Sequence, residues 1–98
     1  MDYLQRIAED RRLSILLLLD ASPGGAANEA LLQSALPEFG HDPSADQVRT
    51  DLAWLAEQRL LGQRDMQGLM VATITVRGID AAHGRATVPG VKRPRPGA

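Results

Sequence analysis

The chain has 98 residues, a formal net charge of −1 and no cysteine. This length supports one domain with a single modest core and leaves too little chain for a separate catalytic domain. The lack of cysteine excludes disulfides, thiolate metal sites and cysteine nucleophiles. With one Phe, one Tyr and one Trp, the sequence does not favour nucleic-acid binding by base stacking on aromatic side chains.

Charge is distributed unevenly along the chain. Residues 1–84 contain seven Lys or Arg and twelve Asp or Glu, a net charge of −5, whereas residues 85–98 carry +4. Because Pro89, Pro94 and Pro96 exclude a helix in the second segment, we predict a domain over residues 1–84 and a basic, proline-containing arm over residues 85–98. The arm is either a phosphate-seeking extension or a solvated tail.

The first predicted helix runs from Tyr3 to Ala21 and ends at the Ser-Pro-Gly-Gly segment that follows. Beyond residue 12 its apolar side chains surround the helix, and a helix that is apolar all round is buried all round. We therefore predict a homodimer through this helix. The alternative is that Val71 and Ile74 cover the helix within the monomer. The predicted dimer contacts are Leu13, Leu16 and Leu17.

Two adjacent arginines, Arg11 and Arg12, precede the apolar part of this helix and superficially resemble a twin-arginine signal. The apolar run ends at Asp20, well short of the roughly 20 residues that span a bilayer. We therefore expect no membrane segment and a soluble, cytoplasmic protein.

A second helix is predicted over Glu29–Leu36, with Asn28 as its N-cap. Pro37 and Gly40 end this helix. The connection that follows, residues 37–43, is longer than the turn of a tight helix-turn-helix.

The third helix is the most regular segment of the chain. Ser44 and Gln47 have the spacing of a capping box, and apolar residues recur on one face until the helix closes at Leu61. Two short strands, residues 63–66 and 69–76, then flank the turn Gln67-Gly68, whose glycine tolerates a positive φ. Thr75 and Val76 open a short fourth helix, residues 79–83, which ends at Gly84.

This order predicts a mainly α fold with a small β-ribbon: three helices, a two-stranded wing and a short fourth helix. The spacing Val48-x-x-x-Leu52-x-x-Leu55, the ribbon turning at Gly68 and the segment from Ile74 to Gly84 resemble the winged helix-turn-helix core of ArsR-like bacterial regulators. The segment 88–94 is also similar to the ends of small winged-helix proteins encoded in prophages. The resemblance implies double-stranded DNA as the partner and transcription regulation as the function.

In that family the third helix enters the major groove and the wing touches a neighbouring phosphate strand. Carried onto this sequence, the base-reading positions are Ser44, Asp46, Gln47, Arg49 and Thr50. The wing positions are Arg64, Gln67 and Gly68. The arm adds the cationic residues Lys92, Arg93 and Arg95. Arg49, the one cation among the base-reading positions, lies near three aspartates, which weakens the expected attraction to DNA.

A second function class follows from the negative charge around Arg49 and from Trp54, which falls among polar positions of the third helix. The indole either packs over the wing or the end of the first helix, or it is an exposed anchor for a partner protein. In the second case the chain is a winged-helix interaction module with little or no DNA affinity.

No arrangement of residues in the sequence favours catalysis or metal sensing. His41 and His83 are far apart in sequence and have no neighbouring ligand set. The serines have no His and acid at a nucleophile's spacing, and no glycine-rich phosphate loop follows a strand. We therefore expect a non-enzyme without a metal or another cofactor.

Overall fold

A computed structural model describes residues 2–95, and these form four α-helices, three β-strands and two 3₁₀ turns. The 3₁₀ turns are Pro23–Gly25 and Leu36–Phe39. In chain order the other elements are α1 (Tyr3–Ala21), β1 (Ala26–Asn28), α2 (Glu29–Ala35), α3 (Ala45–Glu57), β2 (Leu61–Met66), β3 (Leu69–Ile74) and α4 (Val76–Ala82). Within residues 2–95, none of the helices is long and apolar enough to cross a membrane.

The sheet has three antiparallel strands in the order β1-β3-β2, one more than the predicted ribbon. The additional strand, β1, pairs Ala27 with Ala72, and both side chains are buried. Three residues are too few to show the alternating pattern by which a strand is recognised in sequence. The prediction of a two-stranded wing was therefore wrong in strand number, although β2 and β3 do form a hairpin.

Several element ends differ from the predicted ones. The fourth helix spans Val76–Ala82 rather than residues 79–83. β2 begins at Leu61 rather than at residue 63, and β3 ends at Ile74 rather than at residue 76. The second helix gives way after Ala35 to the 3₁₀ turn that contains Pro37, a residue that cannot donate a backbone hydrogen bond. The third helix ends at Glu57 rather than at Leu61, because Arg59 has a φ of 62° and turns the chain back into β2. The first helix has the predicted bounds, and Asp2 and Gln5 form its capping box.

The leucines of α1 lie in the core of the same chain. Leu16 is fully buried, Leu13 is nearly so, and Leu17 is half-buried against the core. The covering elements are α4, β3 and the 3₁₀ turn Leu36–Phe39, each of which packs on α1. The predicted dimer interface was therefore wrong for Leu13 and Leu16, since side chains already buried within one chain have no surface to offer a second.

The segment after α4 folds back onto the domain. Val88 and Val91 belong to the buried core, and the backbone N–H of Lys92 donates to the carbonyl oxygen of Glu9 at 3.2 Å. We name residues 88–92 the C-terminal strap. The predicted free arm is thus attached to the domain as far as Lys92, because its two valines are removed from water. Residues 96–98 of that arm, and Met1 of the predicted domain, lie outside the described residues.

Candidate nucleic-acid interface

The start of α3 presents a short run of polar side chains. Ser44 caps the helix, with its hydroxyl oxygen accepting from the backbone N–H of Gln47 at 3.1 Å. Thr50 donates its hydroxyl to the carbonyl oxygen of Asp46 at 2.9 Å. Ser44, Asp46, Arg49 and Thr50 are exposed and Gln47 is half-buried. The predicted base-reading positions therefore lie at the helix start, although two hydroxyls serve the helix itself.

Arg49 connects α3 to the turn of the β2–β3 hairpin. Its guanidinium bonds both carboxylate oxygens of Glu29, at 2.5 and 3.1 Å, and donates to the carbonyl oxygen of Gly68 at 3.0 Å. The same Glu29 carboxylate accepts from the backbone N–H of Met70 at 2.5 Å. We name Glu29, Arg49, Gly68 and Met70 the hairpin brace. It fixes the third helix, the start of α2 and the hairpin relative to one another.

The brace shifts the pKa values of both charged members. The hydrogen bond from Arg49, helped by the backbone N–H of Met70, lowers the pKa of Glu29 below its ordinary value. The hydrogen bond to Glu29 and its charge raise the pKa of Arg49. Both groups are therefore ionised at neutral pH, and the cation proposed to read a base is already neutralised by an anion.

Sequence reasoning did not identify Glu29 as part of this site. The glutamate is 20 residues from Arg49 and 41 from Met70, so no local spacing links them. A carboxylate in the first turn of a helix has an ordinary explanation in its favourable interaction with the helix dipole. The sequence held only a weak signal for this role of Glu29. The glutamate begins a short helix and is the one charged residue between Asp20 and Glu38.

The tip of the hairpin is narrow and uncharged. Gln67 and Gly68 both have positive φ, 55° and 89°, as a two-residue hairpin turn requires. The Asp65 carboxylate accepts from the backbone N–H of Gly68 at 2.7 Å. Met66 and Leu69 face each other across the turn and are 48% and 39% exposed. Gln67 and Gly68 thus offer polar backbone but no charge for phosphate contact.

Three exposed arginines form no ion pair within residues 2–95 and lie near or along β2: Arg59, Arg64 and Arg77. Arg77 donates to the carbonyl oxygen of Gln58 at 3.1 Å. The carbonyl oxygen of Arg59 accepts from the hydroxyl of Thr75 at 2.8 Å. The Arg77 guanidinium and the backbone of Arg59 therefore both lie where α3 turns into β2, and Arg64 lies further along the strand toward the tip. Only Arg64 was among the predicted site residues.

The predicted cations of the arm have different surroundings. The Lys92 ammonium donates to Asp10 at 3.1 Å, and Nε2 of His41 lies 2.7 Å from the other oxygen of that carboxylate. Arg93 donates to the hydroxyl of Thr87 at 2.8 Å, and Arg95 is exposed. Partial burial opposes ionisation of Asp10, but the hydrogen bonds from His41 and Lys92 outweigh it and lower its pKa. Lys92 is therefore held by the domain.

Trp54 is covered by parts of its own chain. The Arg12 guanidinium stacks 4.2 Å from the centroid of the indole, and a Cβ added at Gly90 would come within 2.6 Å of the ring. Arg12 also donates to the carbonyl oxygen of Gly90 at 2.9 Å. The indole thus packs against the middle of α1 and the strap, neither of the packing positions that the sequence suggested.

The two histidines pair with separate carboxylates of α1. His41 bonds Asp10, as described, and Nε2 of His83 lies 2.6 Å from Asp20. Nowhere in the described part of the chain do three or more His, Asp or Glu side chains come together in a way that could hold a metal ion.

Comparison with known proteins places the chain among small phage and bacterial proteins. It is 50% identical over 91 residues to the uncharacterized protein gp26 of Escherichia phage Mu, an alignment that covers 92% of this chain and 93% of gp26. The chain belongs to the phage Mu gp26 family. The chain is also 45% identical over 78 residues to an uncharacterized protein of Haemophilus influenzae, an alignment that covers 79% of this chain and 76% of that protein. No family model matches the sequence.

Proposed function

We propose that this member of the gp26 family is a small DNA-binding protein of winged-helix type, similar to ArsR-like regulators, and that it acts in transcription regulation. The hairpin brace is the observation that carries the proposal. An ion pair and two hydrogen bonds to backbone groups hold α3 and the tip of the hairpin in one fixed arrangement. A surface that must fit a duplex groove gains affinity from such preorganisation.

The start of α3 supplies groups that suit base edges. The carboxylate of Asp46 accepts hydrogen bonds, as a contact with cytosine N4 requires, and the amide of Gln47 can pair with adenine. Arg49 retains donors beyond those used in the brace, since a guanidinium has five N–H groups. Contact through this segment places the hairpin beside the neighbouring phosphates.

The arginines near β2 provide the phosphate contacts in this proposal. Arg59, Arg64 and Arg77 are exposed and are not neutralised by a carboxylate in the described part of the chain. Each phosphate neutralised in B-DNA contributes about −0.9 to the slope of log K against log salt. Three such contacts give a slope of about −3, which is shallow for a DNA-binding protein and fits a chain of acidic overall charge.

A second candidate function is a winged-helix interaction module that binds a protein. Two observations favour it: Arg49 is neutralised by Glu29, and the hairpin tip exposes the apolar pair Met66 and Leu69. Exposed apolar side chains on a rigid projection are suited to a pocket on a partner.

Fluorescence anisotropy with a labelled random duplex, measured from about 50 to 200 mM salt, separates the two functions. DNA binding predicts a slope near −3 for the full chain and a slope shallower by about 0.9 for Arg64→Gln. Arg6→Gln is the matched control, because Arg6 is also an exposed arginine without an ion pair in the described region but lies on α1. Binding that is undetectable at low salt would refute the DNA proposal and favour the interaction module.

A further inference from the structure

A buried cluster of charged side chains joins α1 to α3. Asp51 of α3 is 1% exposed, and its carboxylate accepts from Nε and, at 3.3 Å, from Nη2 of Arg11. Nε of Arg12 lies 3.8 Å from the same carboxylate and is buried without a hydrogen bond within residues 2–95. Two guanidinium groups therefore share one carboxylate. The cluster holds one more positive charge than negative charge, and burial of an unpaired charge is costly.

The cluster meets solvent at a cleft beside the start of α3. The cleft has a volume of about 350 Å³, and its lining includes Arg11, Asp42, Ser44 and Gln47. Arg11 is only 9% exposed. Nη1, the nitrogen that Asp51 does not use, has no hydrogen bond within residues 2–95 and keeps some contact with water. Because Arg11 lines the cleft, Nη1 is a charged donor available to a ligand in it.

The first turn of α3 adds neutral donors at the same place. Ser44 caps the N–H of Gln47, whereas the backbone N–H groups of Ala45 and Asp46 have no hydrogen bond in the described part of the chain. The side-chain amide of Gln47, which lines the cleft, is also without a bond there. The positive end of the dipole of this 13-residue helix lies at these groups. Free N–H groups at a helix start together with a buried guanidinium favour an anion.

We propose that this cleft binds a phosphate group, with Nη1 of Arg11 as its charged donor and the first turn of α3 as its neutral donors. The site does not depend on the DNA-binding function proposed above, because the phosphate can belong to a free small molecule or to the backbone of a duplex. Its negative charge offsets the excess positive charge of the cluster. Its tetrahedral oxygens accept from a guanidinium and from helix N–H groups at the same time.

One acid opposes an anion in the cleft. Asp42 lines it, is exposed and forms no ion pair within residues 2–95. Water and salt screen this exposed carboxylate, whereas the buried guanidinium of Arg11 acts through a medium of lower dielectric constant. The attraction to Arg11 therefore exceeds the repulsion from Asp42. Removal of the Asp42 charge should strengthen binding, which gives a test that does not disturb the buried cluster.

Titration of the ¹⁵N-labelled chain with inorganic phosphate at constant ionic strength, followed by NMR, tests the site. The amide signals of Ala45 and Asp46 should shift and reach saturation. Asp42→Asn should bind phosphate about two- to fivefold more tightly than the unmodified chain, which is the size of an exposed charge interaction. Glu38→Gln makes the same change in net charge at an exposed residue that does not line the cleft, and should bind phosphate as the unmodified chain does.

A second pair of variants examines the guanidinium. Arg11→Lys keeps a positive charge beside Asp51 but removes Nη1, and should weaken phosphate binding about tenfold or more, the effect of losing a hydrogen bond from a charged donor. Arg85→Lys is the matched control, since Arg85 is exposed and pairs with Asp80 away from the cleft. Circular dichroism checks that each variant keeps its helices.

The same titration with a short duplex identifies the source of the phosphate. Shifts at Ala45 and Asp46 that are weakened by Arg11→Lys but not by Arg85→Lys would assign the site to a backbone phosphate. Saturable shifts with inorganic phosphate alone would assign it to a free phosphate. The site would be overturned if neither probe moved these amides, if the two lysine variants bound alike, or if Asp42→Asn bound no more tightly than Glu38→Gln. The DNA-binding function would still be decided separately, by the salt slope of Arg64→Gln.

Discussion

The Arg49 guanidinium donates to the carbonyl oxygen of Gly68 at 3.0 Å, across 19 residues of sequence. This bond joins the exposed face of α3 to the turn of the hairpin, and the Glu29 carboxylate accepts from Nε and Nη2 of the same guanidinium. The side chain that sequence reasoning assigned to base recognition therefore also sets the angle between helix and hairpin. A variant at position 49 changes both at once, so its effect on DNA affinity does not isolate a base contact.

The first prediction concerns the anion of the brace. Glu29→Gln removes the charge that holds Arg49 and weakens the acceptor for the backbone N–H of Met70. We expect faster amide hydrogen exchange at Met70 and Gly68, measured by NMR on the folded chain, because the Met70 N–H then has a weaker acceptor and Arg49 is no longer held beside Gly68 by a charge. Glu57→Gln is the control, since Glu57 is exposed and forms no ion pair in the described region. Unchanged exchange in Glu29→Gln would show that the brace contributes nothing to hairpin rigidity.

The second prediction is the pH dependence that the brace produces. The pKa of Glu29 is lowered on folding from its ordinary value of 4.5, so near that pH the unfolded chain binds more protons than the folded one. The stabilisation is present above pH 4.5 and is lost as the pH falls through the lowered pKa. The free energy of unfolding, from urea titrations followed by circular dichroism, should therefore decrease on acidification below pH 4.5. The decrease should be smaller in Glu29→Gln, and identical pH profiles would contradict the assignment.

The elements that could be predicted from the sequence are those with a strong local signal. Asn28 and Ser44 act as N-caps as expected, and Gln67-Gly68 forms the hairpin turn. Thr75 caps a fourth helix that begins three residues before its predicted start. Each depends on interactions within a few residues of the chain. The same locality explains why the order of helices and hairpin was recognisable.

The features that could not be predicted depend on contacts between residues far apart in sequence, both between charged groups and between apolar side chains. Glu29 pairs with Arg49, and Asp10 pairs with Lys92 across 82 residues. Composition gave the arm a charge of +4 but could not show that Val88 and Val91 attach it to the core. Leu13 and Leu16 were misassigned for the same reason, because periodicity shows that a face is buried without showing what buries it.

The third prediction tests the packing of the strap on Trp54. Gly90 has a φ of 98°, and an added Cβ would lie 2.6 Å from the indole, so Gly90→Ala combines backbone strain with overpacking. We expect a loss of about 1–3 kcal/mol in the free energy of unfolding, together with a shift in Trp54 emission as the strap moves away. Gly62→Ala is the control, because no atom beyond the two neighbouring residues lies within 4 Å of a Cβ at Gly62. If Gly90→Ala kept the Trp54 emission and the free energy of unfolding of the unmodified chain, the strap would not be packed against the indole.

The last prediction separates a core role for the α1 leucines from the dimer role expected from sequence. Leu16 is fully buried within the chain, whereas Leu4 on the same helix is 75% exposed. Leu16→Ala should lower the free energy of unfolding by about 2–5 kcal/mol, because it removes buried methyl groups and leaves a cavity. Leu4→Ala should change it by no more than about 0.5 kcal/mol. If the loss comes from the core of a single chain, the midpoint of urea unfolding for Leu16→Ala should not depend on protein concentration between about 1 and 100 µM. The opposite result would be a urea midpoint that rises with protein concentration in the unmodified chain but not in Leu16→Ala. That result would show that Leu16 contributes to a dimer interface.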